Sequence, residues 1–266
     1  MPQQPGAWPE TGKAHNGSML SDKPIPVRER LIFALDVPTV AEAQRLVEKL
    51  GDSIQFYKLG LEIFMAGGYY ETIQWLTRAG KKVFVDLKFF DVPNTVASAV
   101  RQLVKYKPAF ASVHGNDQIL EAACKEKGEI QILAVTVLTS LDQSDIKALG
   151  FNKEMGFADD VKIEDLVYSR AKRAINLGCD GVISSGIEVP RLLRDLGKGF
   201  TIVVPGIRPI QNTDDQKRTV NVEEAFINGA DYIVMGRPIK EAKNPKEAAE
   251  NVQERIAKMP FGSTMV

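Results

Sequence analysis

From Leu31 onward, short apolar runs alternate with longer stretches whose apolar positions recur at helical spacing. The runs Leu31–Asp36, Gln55–Gly60, Lys82–Lys88, Phe110–His114, Gln131–Val137, Gly181–Ser184, Thr201–Val204 and Tyr232–Met235 predict eight strands. Helical spacing predicts helices in Val40–Leu50, Glu62–Arg78, Thr95–Lys105, Ile163–Asn176 and Val222–Asn228. Several of these stretches close on Gly80, Gly178 or Gly229, because glycine tolerates the left-handed C-terminal conformation. Repeated strand-helix units with buried, β-branched strands predict an α/β chain with a single (β/α)8 TIM barrel over residues 29–260. A doubly wound open sheet is the alternative, but it would carry a Gly-x-Gly-x-x-Gly turn after its first strand, where Asp36-Val-Pro-Thr stands. Residues 1–28 are rich in Pro, Gly and polar side chains without periodicity, so they are expected outside the fold as a flexible extension or an expression leftover. Residues 261–266 are expected to form a short tail.

In either architecture, ligand chemistry belongs at the carboxyl ends of the strands. The exits collect a coherent polar set: Asp36, Lys58, Asp86 with Lys88, Thr136 with Thr139 and Ser140, Pro205-Gly-Ile-Arg208, and Gly236-Arg237. Asp86, Lys88 and Asp91 follow one another where the third strand gives way to a helix. Alternation in a strand puts Phe84, Asp86 and Lys88 on one face and Val83, Val85 and Leu87 on the other. Any one of these charges alone reads equally well as part of a structural ion-pair network at a barrel rim. Charges on separate strands converging in alternating sign are more than a rim requires, because each is costly to desolvate unless paired.

Gly206, Arg208, Gly236 and Arg237 follow the last two strands, where barrels bind phosphate through backbone amides and charge-assisted contacts. Taken singly, each Gly-x-Arg or Gly-Arg is an ordinary turn with an exposed arginine. Between Pro209 and Val220 the chain is polar and has no apolar pattern, as in a closing loop. By spacing alone, Gln216 within it is an ordinary solvated amide. His114 ends the fourth strand and is assigned no role.

Composition narrows the partners. Thirty-four basic and thirty-four acidic side chains cancel, and no basic run is interleaved with aromatics, which argues against nucleic acid and for a small molecule. Cys124 and Cys179 are too few for a disulfide framework, and His15 and His114 are the only histidines, so a metal would have to sit on carboxylates. Without a long apolar run or an export signal, a soluble cytoplasmic protein is expected.

The motifs together match a known pattern. With Asp86-Leu-Lys88-Phe-Phe-Asp91 followed by Val92-Pro-Asn-Thr95, the chain resembles the orotidine 5′-phosphate decarboxylase family from about Leu31 to Lys258. Ala34-Leu-Asp36, Tyr57-Lys58-Leu-Gly60, Leu133-Ala-Val-Thr-Val-Leu-Thr139-Ser140, Val204-Pro-Gly-Ile-Arg208-Pro, Asp215-Gln216-Lys-Arg and Met235-Gly236-Arg237-Pro add to the resemblance. It implies decarboxylation of orotidine 5′-phosphate to UMP and CO2, in de novo pyrimidine synthesis, with no cofactor and no metal. Lys88, Asp86, Asp91 and Lys58 would form the catalytic charge array, with Lys88 donating the proton to C6 and Asp86 beside the substrate carboxylate. Asp36 and Lys58 would contact ribose and Thr139 the pyrimidine. Gln216 and Arg237 would hold phosphate, with Pro205, Arg208 and the Gly236 amide nearby. Asp91 and Thr95 would reach into a neighbouring subunit's site, which implies a homodimer with composite sites. Many bacterial relatives have His and Ile where this chain has Phe90 and Val92. Two other readings stand beside this one: a magnesium-dependent sugar-phosphate decarboxylase or aldol-type synthase with the same strand end, and a non-catalytic nucleotide-binding barrel.

Overall fold

Eight parallel strands pair in chain order and close on themselves: β1 (Leu31–Ala34), β2 (Phe56–Leu59), β3 (Lys82–Phe89), β4 (Phe110–Val113), β5 (Gln131–Val135), β6 (Gly181–Ile183), β7 (Thr201–Val204) and β8 (Tyr232–Met235). The computed structural model describes residues 19–151, 153, 156, 161–208 and 218–261. Closure of β1 on β8, with Ile32 opposite Val234, removes the open-sheet alternative. Alternation within each strand then sorts the side chains. Ile32, Phe56, Phe84, Phe110 and Tyr232 fill the barrel, while Leu31, Phe33, Val83 and Val85 face the helical layer. Phe110 stands at the centre of the barrel filling, its ring 5.0 Å from Phe56 and 5.2 Å from Tyr232. Truncating such a ring to Ala costs about 3–5 kcal/mol.

Around the barrel lie α1 (Val40–Leu50), α2 (Leu61–Met65), α3 (Tyr69–Arg78), α4 (Pro93–Leu103), α5 (Asp117–Glu126) and α6 (Gln143–Ala148). They are followed by α7 (Ile163–Asn176), α8 (Val189–Leu196), α9 (Val222–Ile227), α10 (Arg237–Lys240) and α11 (Pro245–Ala257). In α1, Thr39 caps the start by accepting the Glu42 N–H, and Ala43, Val47 and Leu50 bury the stripe that helical spacing requires. The single helix expected over Glu62–Arg78 is two, because Gly67 and Gly68 take positive φ and end the first. The next helix starts two residues before the expected Thr95, since Pro93 suits a first turn that needs no donor there.

The N-terminal segment also departs from expectation. Ser21 donates to Asp231 at 2.5 Å, Lys23 pairs with the same carboxylate, and Ile202 N–H donates to it at 2.8 Å. Arg30, almost fully buried, donates to the Asp231 and Lys23 carbonyls and stacks on Phe261. A buried carboxylate needs such partners, so the chain from Met19 packs against the N-terminal end of the barrel instead of standing outside it. Residues 1–18 and 262–266 of the expected extension and tail lie outside the described residues.

Candidate active site

The carboxyl ends of the strands enclose a cavity of about 290 Å³, floored by Phe84, Val135, Ile183, Val203 and Val234. Its polar wall is made by Asp36, Lys58, Asp86, Lys88, Thr139, Ser140, Pro205, Gly206, Arg208, Gly236 and Arg237. Three members of the charge array follow from strand alternation: Asp36 stands two residues beyond inward-facing Ala34, Lys58 two beyond Phe56, and Asp86 two beyond Phe84.

Lys88 does not follow that rule. β3 and β4 pair at Phe84–Phe110 and Val85–Ala111 and resume at Phe89–Val113, so β3 carries two extra residues over this stretch. Within the bulge Lys88 adopts φ 49°, a left-handed conformation that costs a non-glycine residue about 1 kcal/mol or more. Ser112 holds it there. The Lys88 N–H donates to Ser112 Oγ at 2.9 Å, and Ser112 Oγ donates to Asp86 Oδ1 at 2.8 Å. The simple expectation that alternation alone places Lys88 beside Asp86 is therefore corrected. The bulge re-aims Lys88, and its Nζ then lies 2.9 Å from Asp86 Oδ1.

The charges form a chain. Lys58 Nζ bridges Asp36 Oδ1 at 3.2 Å and Asp86 Oδ2 at 3.4 Å, and Asp86 bridges Lys58 to Lys88. Burial alone would push the Asp86 carboxyl up, but Lys58, Lys88 and the hydrogen bonds from Lys88 and Ser112 outweigh it and hold the group below the ordinary carboxylate range. Burial likewise pulls Lys58 down, and Asp86 and Asp36 outweigh it, leaving the ammonium above its ordinary value. Asp86 is thus a fixed anion and Lys58 a fixed cation at neutral pH. Gly60 leaves them room, because a Cβ there would sit 3.0 Å from both Asp36 Oδ1 and Lys58 Nζ and press on their ion pair.

Gly206, at φ 74°, turns the chain after β7, and Gly236 passes so close to β1 that a Cβ would lie 3.2 Å from that of Ala34. Arg208 and Arg237 line the cavity at the exits of β7 and β8, and the Asp/Lys chain lines it at the exits of β1, β2 and β3. An anion and a second negative group on one ligand would both find complementary charge here.

Two expected site residues stand elsewhere. Asp91 and Thr95 line a neighbouring groove with Leu61, Phe64, Phe90 and Val96, and Lys88 borders both this groove and the central cavity. Asp91 Oδ1 accepts its neighbour Val92's N–H at 2.6 Å. Gln216 lies outside the described residues. His114 packs edge-on against Phe90, and burial, with the Arg170 and Lys88 charges, lowers its pKa. Ser112 was assigned nothing from sequence, though a polar residue at an inward position of the otherwise apolar Phe110-Ala-Ser-Val strand was a readable signal. No group of three or more metal-ligating side chains occurs among the described residues, and none of their helices is long and apolar enough to cross a membrane.

Comparison with known proteins gives a consistent result. Residues 29–252 match the model of the orotidine 5'-phosphate decarboxylase / HUMPS family. Orotidine 5'-phosphate decarboxylase of Methylococcus capsulatus is 56% identical over 241 residues, covering 90% of this chain and 96% of the relative. That of Stenotrophomonas maltophilia is 45% identical over 243 residues, covering 90% and 98%. Among solved structures, orotidine 5'-phosphate decarboxylase from Lactobacillus acidophilus superposes with a TM-score of 0.74 at 33% identity, covering 86% of this chain and 99% of the other.

Proposed function

Because the chain belongs to the orotidine 5'-phosphate decarboxylase / HUMPS family, we propose that it converts orotidine 5′-phosphate to UMP and CO2, with Lys88 stabilising and then protonating the C6 carbanion. It is a carboxy-lyase by family. The observation that carries the reading is the Lys58–Asp86–Lys88 chain on the wall of an apolar-floored cavity.

Breaking the C6–carboxylate bond leaves an electron pair on a carbon that cannot easily delocalise it. The need is a positive group fixed before the reaction, since a preorganised charge costs no reorganisation as the anion forms. Lys88 meets that need: its backbone is pinned by Ser112 and its ammonium by Asp86. After CO2 departs, a proton moves from Lys88 Nζ to C6, giving UMP and a neutral amine that solvent reprotonates. Asp86 orients the donor, and Lys58 keeps Asp86 ionised. In this reading Arg208, Arg237 and the Gly236 backbone take the phosphate, and Asp36 and Lys58 the ribose hydroxyls. Thr139 and Ser140 border the remaining space for the base.

In the magnesium-dependent reading, Asp36 and Asp86 are the carboxylates that would hold the cation and supply its anionic oxygens, and both already have a cationic partner in the Lys58 ammonium.

The composite homodimer belongs to the same proposal. The groove carrying Asp91 and Thr95 opens onto Lys88, and the exposed apolar residues Leu61, Met65, Phe90 and Val92 lie at or beside it. A second copy seated on this face would bring the partner subunit's equivalent of Asp91 to Lys88 as its second carboxylate.

Loss of orotidine 5′-phosphate absorbance on adding purified protein tests the activity. Turnover should persist in excess chelator. Turnover abolished by chelator and restored by magnesium would favour the sister chemistry. Orotidine lacking phosphate should lose turnover at saturation as well as affinity, because remote binding energy organises the site. Unchanged turnover would contradict the phosphate role.

A further inference from the structure

Arg218 takes no part in the chemistry described above, yet all three nitrogens of its guanidinium make directed contacts. It is buried, and so is its ion-pair partner Glu188, whose side chain is 4% exposed. One nitrogen, Nη1, pairs with Glu188 Oε1. The others reach the loop that leaves β5: Nε donates to Leu141 O at 3.1 Å, and Nη2 to Leu138 O at 3.0 Å and Val137 O at 3.3 Å. These three carbonyls stand on either side of Thr139 and Ser140, the residues bordering the space for the base.

Glu188 is itself fixed. Ser184 donates to its second oxygen at 3.4 Å, its N–H donates to Ser185 O at 3.2 Å, and Ser185 Oγ donates to Arg218 O at 3.1 Å. The backbone beside Arg218 is held just as closely. Arg208 N–H donates to Val220 O at 3.2 Å, and a Cβ on Gly186 would strike Val220 at 2.4 Å. One guanidinium therefore ties together the exits of β5, β6 and β7. A planar fork with donors on three sides is what this geometry requires, and a lysine ammonium cannot span it.

Resting on the functional reading above, we propose that Arg218, clamped by Glu188, is a positioning residue that fixes the 137–141 loop so that Thr139 and Ser140 meet the pyrimidine. Its role is selective for the base, because the guanidinium's contacts fall on Glu188 and on the 137–141 loop that carries Thr139 and Ser140.

Affinity for UMP and for ribose 5-phosphate, measured by calorimetry beside kcat and KM for orotidine 5′-phosphate, tests the assignment. Arg218→Lys keeps a cation beside Glu188 but loses the fork. Arg218→Gln combined with Glu188→Gln keeps the pair neutral and serves if the first variant does not fold. Both should weaken UMP binding and kcat/KM by about tenfold or more, while ribose 5-phosphate affinity stays within about twofold, as expected for a misplaced contact to one part of the ligand. Equal loss of both ligands would mark a general structural role and overturn the proposal, as would unchanged UMP binding. Wild-type protein that fails to bind UMP would instead refute the functional reading, and this inference would fall with it.

Discussion

Replacing Ser112 by Ala removes one hydroxyl that serves two partners, Asp86 at 2.8 Å and the Lys88 N–H at 2.9 Å. The hydrogen bond to the Asp86 carboxylate is charge-assisted and contributes about 1.5–3 kcal/mol, and an orphaned N–H in a buried bulge costs about 1–3 kcal/mol. Because Lys88 is partly exposed and water can reach its backbone, the sum falls to about 2–4 kcal/mol. A domain with about 5–15 kcal/mol of stability survives this, and its Tm should drop by roughly 4–16 °C at about 2–4 °C per kcal/mol. The same change frees the strained turn at Lys88 to relax toward ordinary φ, which moves the ammonium away from C6. A misplacement that raises the barrier by about 1.4–2.8 kcal/mol lowers kcat about 10–100-fold, while phosphate and ribose contacts keep KM within about threefold. Thermal unfolding and steady-state kinetics on one preparation read both effects. A Tm drop with kcat unchanged would refute the positioning argument, and no change in either would refute the bonding network itself.

Gly60→Ala puts a methyl group against Asp36 Oδ1 and Lys58 Nζ, so KM should rise several-fold with a smaller effect on kcat; a wild-type KM would show that the ribose side of the site is looser than its geometry. Acid dependence follows from Asp86, whose folded value lies below its unfolded one. Its contribution is fully present above the unfolded value of about 3.9 and is lost as pH falls through the depressed folded value. The Tm advantage of wild type over Asp86→Asn should therefore stay level from about pH 5 to 8 and shrink below about pH 4. An advantage that persists undiminished to pH 3 would contradict the ionised assignment. Asp231→Ala leaves Ser21 and the Ile202 N–H without their partner, while Lys23 keeps the Phe200 carbonyl, and should cost about 2–4 kcal/mol by leaving buried polar groups unpaired, read as a fall in denaturant midpoint; a shift under about 1 kcal/mol would mean that the N-terminal segment packs without contributing.

The strands were legible in sequence because a buried parallel strand has a single dominant requirement, apolar side chains on both faces. The placement of Asp36, Lys58 and Asp86 at strand exits came with them, since alternation continues past each inward apolar residue. Lys88 was legible as a residue but not in its route to Asp86. That depends on a bulge, which is a property of two strands and cannot be seen in one. The break at Gly67–Gly68 left a local sign, two adjacent glycines and a change of phase from Ile63 to Tyr69, Thr72, Ile73 and Leu76, that helical spacing read over the whole stretch passes over. Packing of Ser21 and Lys23 onto Asp231 joins positions about two hundred residues apart, and a polar segment gives no local sign of such a partner. Arg218 shares that blindness, for it follows β7 and its contacts come from the exits of β5 and β6.

Whether Lys88 carries the proton to C6 is decided by the rate at which Lys88→Ala protein consumes orotidine 5′-phosphate, measured beside its affinity for UMP. Loss of both the stabilising charge and the general acid should lower kcat by about 10⁴-fold or more, with UMP bound within about tenfold of wild type. Turnover within tenfold of wild type, in protein that folds and binds UMP, would contradict the mechanism.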